Sequence, residues 1–376
     1  MTHKPTAPRL PFRYLLPLFI LCQCALFGLG GCKLPDEGAG KIGAIKKWGL
    51  SLDERIQSTP TVDQQGNIYV GSSDQHMYAI SPSGQIKWKH KEKGITLSPS
   101  IAPNGDIVYT TGEGHLIVLS SKGDLRWKRQ PRQKLAGCAP VITKSGVVLT
   151  SGDLVLVSYN LKDGKPHIVG KKLPLIQTCI YPGEGDNFYF GDNKKLYAWH
   201  ISKGKQWEYP INTSFSGPTR DKQGNLYLGT FDARLVAISA KGKLLWQTQL
   251  APIPTENPKD PSALFQPYVG PKGNIYAVRY NEGLYSFTPK GKKRWLLKQD
   301  LKPFASKLAI ANDGMIYFGT NDHYVYAVTS EGKLHYRFLT KRRVLFGGAL
   351  SPDQKTLYIG SFDHHLYALH AHKKSK

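Results

Sequence analysis

The chain has 376 residues, 40% hydrophobic and 11% aromatic, with 38 glycines and 25 prolines, a globular composition and not a disordered one. That length suits one large all-β domain or two ordinary ones. Lysine and arginine outnumber aspartate and glutamate by 51 to 27, a formal net charge of +24 that directs attention to anionic partners.

The first thirteen residues carry Lys4, Arg9 and Arg13 and no acid. An apolar run, "YLLPLFILCQCALFGLG", follows and leads into Leu29-Gly30-Gly31-Cys32. A basic start, an apolar core and small residues before the cut describe a secretory signal over residues 1–31. The end of that run resembles the bacterial lipobox, which implies diacylation of Cys32. An uncleaved membrane anchor is the alternative, because the stretch is nearly long enough to span. In Gram-negative lipoproteins an Asp after the Cys marks inner-membrane retention. Lys33 stands there, so the resemblance implies the outer membrane. Residues 32–43 are polar and glycine-rich and read as a tether, reaching at most roughly 35–40 Å. The mature part keeps a charge near +21, since the signal holds three cations and no acid.

A repeat fills the rest. "YVGSSDQHMYAISPSGQIKWK" at Tyr69 returns as "YLGTFDARLVAISAKGKLLWQ" at Tyr227 and "YFGTNDHYVYAVTSEGKLHYR" at Tyr317. Eight anchors, Tyr69, Val108, Leu149, Tyr189, Tyr227, Tyr276, Tyr317 and Tyr358, are separated by 39, 41, 40, 38, 49, 41 and 41 residues. Each copy holds four short strand-like runs between Gly, Asp and Ser turns, as in "PTVD", "NIYVGS", "HMYAIS" and "IKWKH". Four antiparallel strands in about 40 residues make a propeller blade, and blades must stack to bury both faces. Trp88, Trp127, Trp207, Trp246 and Trp295, with Tyr336, open the fourth run and suit packing between blades. The eighth copy stops before its fourth strand, while "AIKKWGL" with Trp48 stands alone at the N-terminal side. An eight-bladed all-β propeller over residues 44–372 is predicted, closed by that N-terminal strand, with a basic tail at 373–376.

The pattern Y-V-G-S…Y-A-I-S…G…W resembles the PQQ-like repeat, shared by quinoprotein alcohol dehydrogenases and the outer-membrane assembly lipoprotein BamB. Ala79, Ala237 and Ala327 match it, as do Gly84, Gly242 and Gly332, but the Asp and Thr usual in the last turn are absent. The resemblance implies a membrane-anchored scaffold for envelope proteins, of the kind that assists the β-barrel assembly machinery. It also raises a quinone-binding redox protein or sensor as an alternative. Quinoproteins of this type resemble one another in a vicinal Cys-Cys, an Asp base and a calcium site. This chain has no Cys-Cys, and after the tether and closing strand almost every residue is used by a blade, so neither enzyme activity nor a cofactor is expected.

Other features have plainer readings. Asp74, Asp232, Asp322 and Asp363 recur at the turn between second and third strands, where Asp bonds its own backbone. His370 and His372 would share a strand face, though nothing nearby completes a metal site. Cys138 and Cys179 lie in the first strands of blades three and four. Export permits a disulfide between them, and two buried thiols are the alternative. Lysines and arginines gather in the fourth strands and the turns before them, as in "IKWKHKEK", "LRWKRQPRQK", "KGKKRWLLK" and "HYRFLTKRR", predicting a basic rim. Edge protection explains lysines there. The size of the excess also suits anionic lipid, an acidic protein or an envelope polysaccharide; nucleic acid is set aside by export and the absence of a motif. Between blades five and six, residues 250–266 are surplus. Pro252, Pro254, Pro258 and Pro261 stiffen this insertion and Leu264 and Phe265 give it an apolar tip, which makes it a candidate partner-binding loop.

Overall fold

Within each copy the four runs differ in what they bury, and that difference sets their place in the sheet. In blade one the second strand, Ile68–Gly71, is buried throughout, and the third, His76–Ile80, is buried after its first residue. The fourth, Ile86–Lys91, alternates exposed and half-buried positions. A strand apolar on both faces needs a neighbour on each side, and only stacked blades supply two.

The computed structural model describes residues 45–372 except 95–96, 132–134, 136–137, 153–154, 168, 170–172, 193, 212–215, 231, 251–266, 280–281 and 299–306. These residues form the eight-bladed propeller that the periodicity predicts. Eight antiparallel sheets follow in chain order, and in all but the last the strands lie in sequence order. Lys46–Ser51 pairs with His365–His370 and completes the last sheet, so the N-terminal strand closes the ring. Equivalent residues share register: Tyr69 pairs Ala79 and Ala79 pairs Trp88, as Tyr227, Ala237 and Trp246 do four blades on.

The core is divided among the seams. One apolar cluster joins Ile68, Val70 and Tyr78 of blade one to Tyr358 and Leu366 of blade eight, and a second joins Tyr69 and Met77 to Tyr109 and Ile117 of blade two. Similar clusters follow around the ring. The fourth-strand aromatics reinforce them. Trp48 Nε1 donates to the carbonyl of Pro82, Trp88 to Ser121, Trp127 to Leu161 and Trp207 to Ala240, at 2.6–3.0 Å. Trp246 donates to Pro289, Trp295 to Ser330 and the Tyr336 hydroxyl to His370 O. Every acceptor lies in the following blade.

Blade three departs from the four-strand expectation. Its sheet has three strands, and among the described residues a Tyr159–Pro166 bridge and a His167 N–H to Ser158 O bond (3.0 Å) mark where the fourth would run. Pro166 has no N–H to give the ladder, and no Trp stands in this segment. The seam from blade three to blade four therefore lacks the indole contact. It holds the Cys138–Cys179 disulfide instead, with Cα atoms 5.8 Å apart.

Candidate docking face

Antiparallel strands put the turns between second and third strands, with the links between blades, on one face of the ring. The first-to-second and third-to-fourth turns lie on the other. The Asp residues expected in the first set are consumed by their turns. Asp74 Oδ1 accepts the His76 N–H at 2.9 Å, and Asp363 Oδ1 accepts that of His365 at 3.1 Å. The second oxygen accepts a tyrosine hydroxyl two residues further on, Tyr78 at 2.5 Å, Tyr326 at 2.8 Å for Asp322, and Tyr367 at 2.8 Å. Burial and the adjacent carboxylate raise these phenols well above their ordinary pKa, and the equivalent Tyr197 beside Asp192 is pushed up to about 12. Among the described residues no three His, Cys, Asp or Glu side chains converge as a metal site.

The residue after each Asp is left-handed: Gln75, Ala233, His323 and His364, with φ of 71°, 60°, 74° and 72°. Backbone strain of this kind gathers at functional sites. The two histidines line a cavity of about 620 Å³ between blades seven, eight and one. Its floor is Phe362, 9% exposed and stacked on Phe346 with ring centroids 6.4 Å apart. The Arg343 guanidinium stands 4.8 Å from the Phe362 ring centre and that of Arg55 5.8 Å, so the ring is clasped by two cations. Lys341 and Arg342 join them in the wall, with Glu54 as its acid. None of these four cations enters an ion pair among the described residues.

The loop bearing Lys341–Arg343 is fixed from both sides. Val344 N–H donates to Thr320 O (3.0 Å), Phe362 N–H to Arg343 O (3.1 Å) and the Lys341 N–H to Asp363 Oδ2 (2.9 Å). A preorganised, cationic pocket with an aromatic floor is suited to carboxylates carried on an adjoining apolar side chain.

This segment lies elsewhere than the basic rim predicted for it. In "HYRFLTKRR" the fourth strand ends at Leu339, and the last three cations sit in the link to blade eight. Link residues break the strand alternation, and the run Thr340-Lys341-Arg342-Arg343 after a completed strand was the available signal. His370 and His372 do not share a strand face: the strand ends at His370, and His372 lies beyond it, 3.3 Å from Asp313 Oδ2. Cys32 and the loop residues Pro252, Pro254, Pro258, Pro261, Leu264 and Phe265 fall outside the described residues. The chain leaves for that insertion at Leu250, whose N–H donates to Ala233 O at 3.0 Å, on the same face as the basic pocket.

The family model described as outer membrane protein assembly factor BamB matches residues 82–337, about two thirds of the sequence. The chain belongs to that family. No curated protein matches it by sequence. Among solved structures it is similar to BamB from Moraxella catarrhalis, with a TM-score of 0.69 and 14% identity over 86% of this chain and 99% of that one. The computationally designed Ika8 protein gives 0.70 at 11% identity, covering 87% and 99%, and Saccharomyces cerevisiae Sqt1 gives 0.71 at 10%, covering 85% and 98%. At such identities these likenesses establish the fold, a propeller scaffold used for unrelated purposes.

Proposed function

We propose that this BamB-family propeller is a non-catalytic docking scaffold of the cell envelope, anchored through acylated Cys32 to the periplasmic side of an outer membrane. Its partners are proteins, and the family name favours components that assemble β-barrel proteins. One observation carries the reading: the cationic, aromatic-floored pocket between blades seven, eight and one, where Arg55, Lys341, Arg342 and Arg343 enter no ion pair among the described residues. The pocket would take an acidic segment of the partner, its carboxylates on the guanidiniums and an apolar side chain against Phe362.

The test is a photocrosslinker placed at Phe346 in the full protein in its own cells. It should capture an assembly component, and Arg55→Glu with Arg343→Glu should lower that capture at least ten-fold while leaving the melting temperature within about 2 °C. Capture that survives the charge reversal overturns the pocket as the docking site. Capture of an unrelated envelope protein keeps the scaffold and removes the assembly role.

A further inference from the structure

We propose that the opposite face, through the turns of blades five and six, rests on an anionic lipid bilayer. Four turns meet there, and each carries a lysine at its tip: Lys222, Lys241, Lys272 and Lys290. Lys243, Lys292 and Lys293 follow immediately in the chain, and all seven are exposed. The acid in these turns is Asp221, and it is occupied. It accepts the backbone N–H groups of Gln223 and Asn225, at 2.9 and 2.8 Å, and the Tyr227 hydroxyl, at 2.9 Å. No lysine of the seven enters an ion pair among the described residues.

Apolar surface accompanies the charge. Leu244 and Leu245, 45% and 49% exposed, stand at the start of the blade-five fourth strand. A groove of about 820 Å³ runs between the two blades, with Lys222, Lys272 and Lys290 on its edges and Leu245, Trp246 and Val269 beneath. Lysines around exposed leucines make a surface that sits at a headgroup boundary, ammonium groups among phosphates and aliphatic carbon below them.

The type of cation separates the two faces. The pocket on the far side is built largely from arginines, whose planar fork recognises a carboxylate in one geometry. The lysine face has point charges on flexible stems and no arginine in its four turns, which fits a diffuse layer of phosphates better than one shaped acidic partner.

The chain's own path agrees. Ile45 O accepts the His370 N–H at 2.7 Å, and Ala371 N–H donates to Lys355 O at 3.1 Å, in the first-to-second turn of blade eight. The polypeptide therefore enters the propeller on the lysine face. Given the reading of Cys32 as the lipidated residue, on which this proposal rests, twelve residues or fewer separate that face from the bilayer. Contact there leaves the arginine pocket turned toward partners.

The experiment uses the full protein from its own cells on vesicles of about 30% phosphatidylglycerol in phosphatidylcholine, with nitroxide-headgroup lipid as quencher. One fluorophore is attached at position 244, or at 343 on the far face. Position 244 should be quenched several-fold more than 343, and 0.5 M salt or pure phosphatidylcholine should abolish the difference. Lys241→Glu, Lys243→Glu, Lys290→Glu and Lys292→Glu together should weaken the contact by at least five-fold per charge. Equal quenching at both positions, or quenching that persists in phosphatidylcholine, overturns the proposal. So does a variant that loses an acidic protein partner and keeps its lipid contact. Failure of the anchor reading shows separately, as absence of acyl mass on Cys32. An unacylated chain that still floats with anionic vesicles, salt-sensitively, upholds the face, and one that does not float overturns it.

Discussion

Gly291 lies under the indole of Trp246, and its backbone is left-handed at φ 79°. A Cβ there would stand 2.6 Å from the ring, closer than any real contact. Gly105 has nearly the same backbone, φ 84°, with nothing within 4 Å of the added carbon. Gly105→Ala should thus cost only the left-handed penalty, about 1 kcal/mol, while Gly291→Ala adds displacement of the indole, about 2–4 kcal/mol in all. Denaturant unfolding of the two variants checks the difference, and equal losses would deny the indole its place against the turn. A second residue couples blades through charge. Glu92 accepts from Lys128 Nζ at 2.7 Å and lies 3.1 Å from His115 Nδ1. Burial is the largest single influence and works to raise its pKa, but the hydrogen bonds from Lys128 and the Lys93 N–H, with the charges of Lys128 and His115, together outweigh it and hold the carboxyl below its ordinary value. A carboxylate depressed in the folded state gives stability that is present above the unfolded pKa, near 4.5, and is lost as pH falls through the lower folded value. Glu92→Gln should cost about 1–3 kcal/mol at pH 7 and much less at pH 3, measured by melting at both.

Among elements, the seam from blade three to blade four stands apart. Seven seams carry an indole or phenol hydrogen bond across them; this one carries Cys138–Cys179. The cross-link spans 41 residues, worth about 4 kcal/mol as restricted unfolded-chain entropy. Cys138→Ser with Cys179→Ser should lower stability by roughly that much. Hydrogen exchange should speed most in Val147–Gly152 and Asn187–Gly191, which flank the seam, and a uniform increase around the ring would deny the bond a local role. The sequence showed both halves of this arrangement without joining them. The missing aromatic in copy three is visible as soon as Trp127 and Trp207 are aligned with nothing between. The pairing is not, because residue spacing along separate strands does not give the distance between their Cα atoms. Strand order and blade number were legible because the pattern repeats eight times, and closure because the eighth copy lacks a fourth strand while "AIKKWGL" stands alone. The arginine pocket was not, because it is made by four separate segments, 54–55, 323, 341–343 and 362–364, that no periodicity relates.

At the scale of the molecule, the ring depends on one ladder that the chain does not enforce. Elsewhere the strands of a blade's sheet are consecutive in the chain, so their pairing is held by short turns. In blade eight, Lys46–Ser51 meets His365–His370 across the whole sequence, Gly49 opposite Tyr367 and Leu50 opposite Leu366. Closing so long a loop is entropically unfavourable, and the return must come from side chains. Trp48 supplies much of it, donating to Pro82 O at 3.0 Å and packing on Tyr358 with ring centroids 5.8 Å apart. Trp207 makes the equivalent contacts in blade four, to Ala240 O at 2.9 Å and Tyr189 at 6.0 Å, on a strand whose pairing is local. Removal of either indole loses similar packing, about 2–4 kcal/mol. The outcomes should nonetheless differ. Trp207→Ala leaves its strand tied by the short turn at Gly204, whereas Trp48→Ala lets a six-residue strand detach from its partner without unfolding any other blade. Exchange at His365–His370 should rise at least ten-fold in Trp48→Ala and stay near wild type in Trp207→Ala, with the closing-strand variant unfolding faster. If both variants protect those amides equally, the ring is held by its seams alone and the N-terminal strand is not its lock.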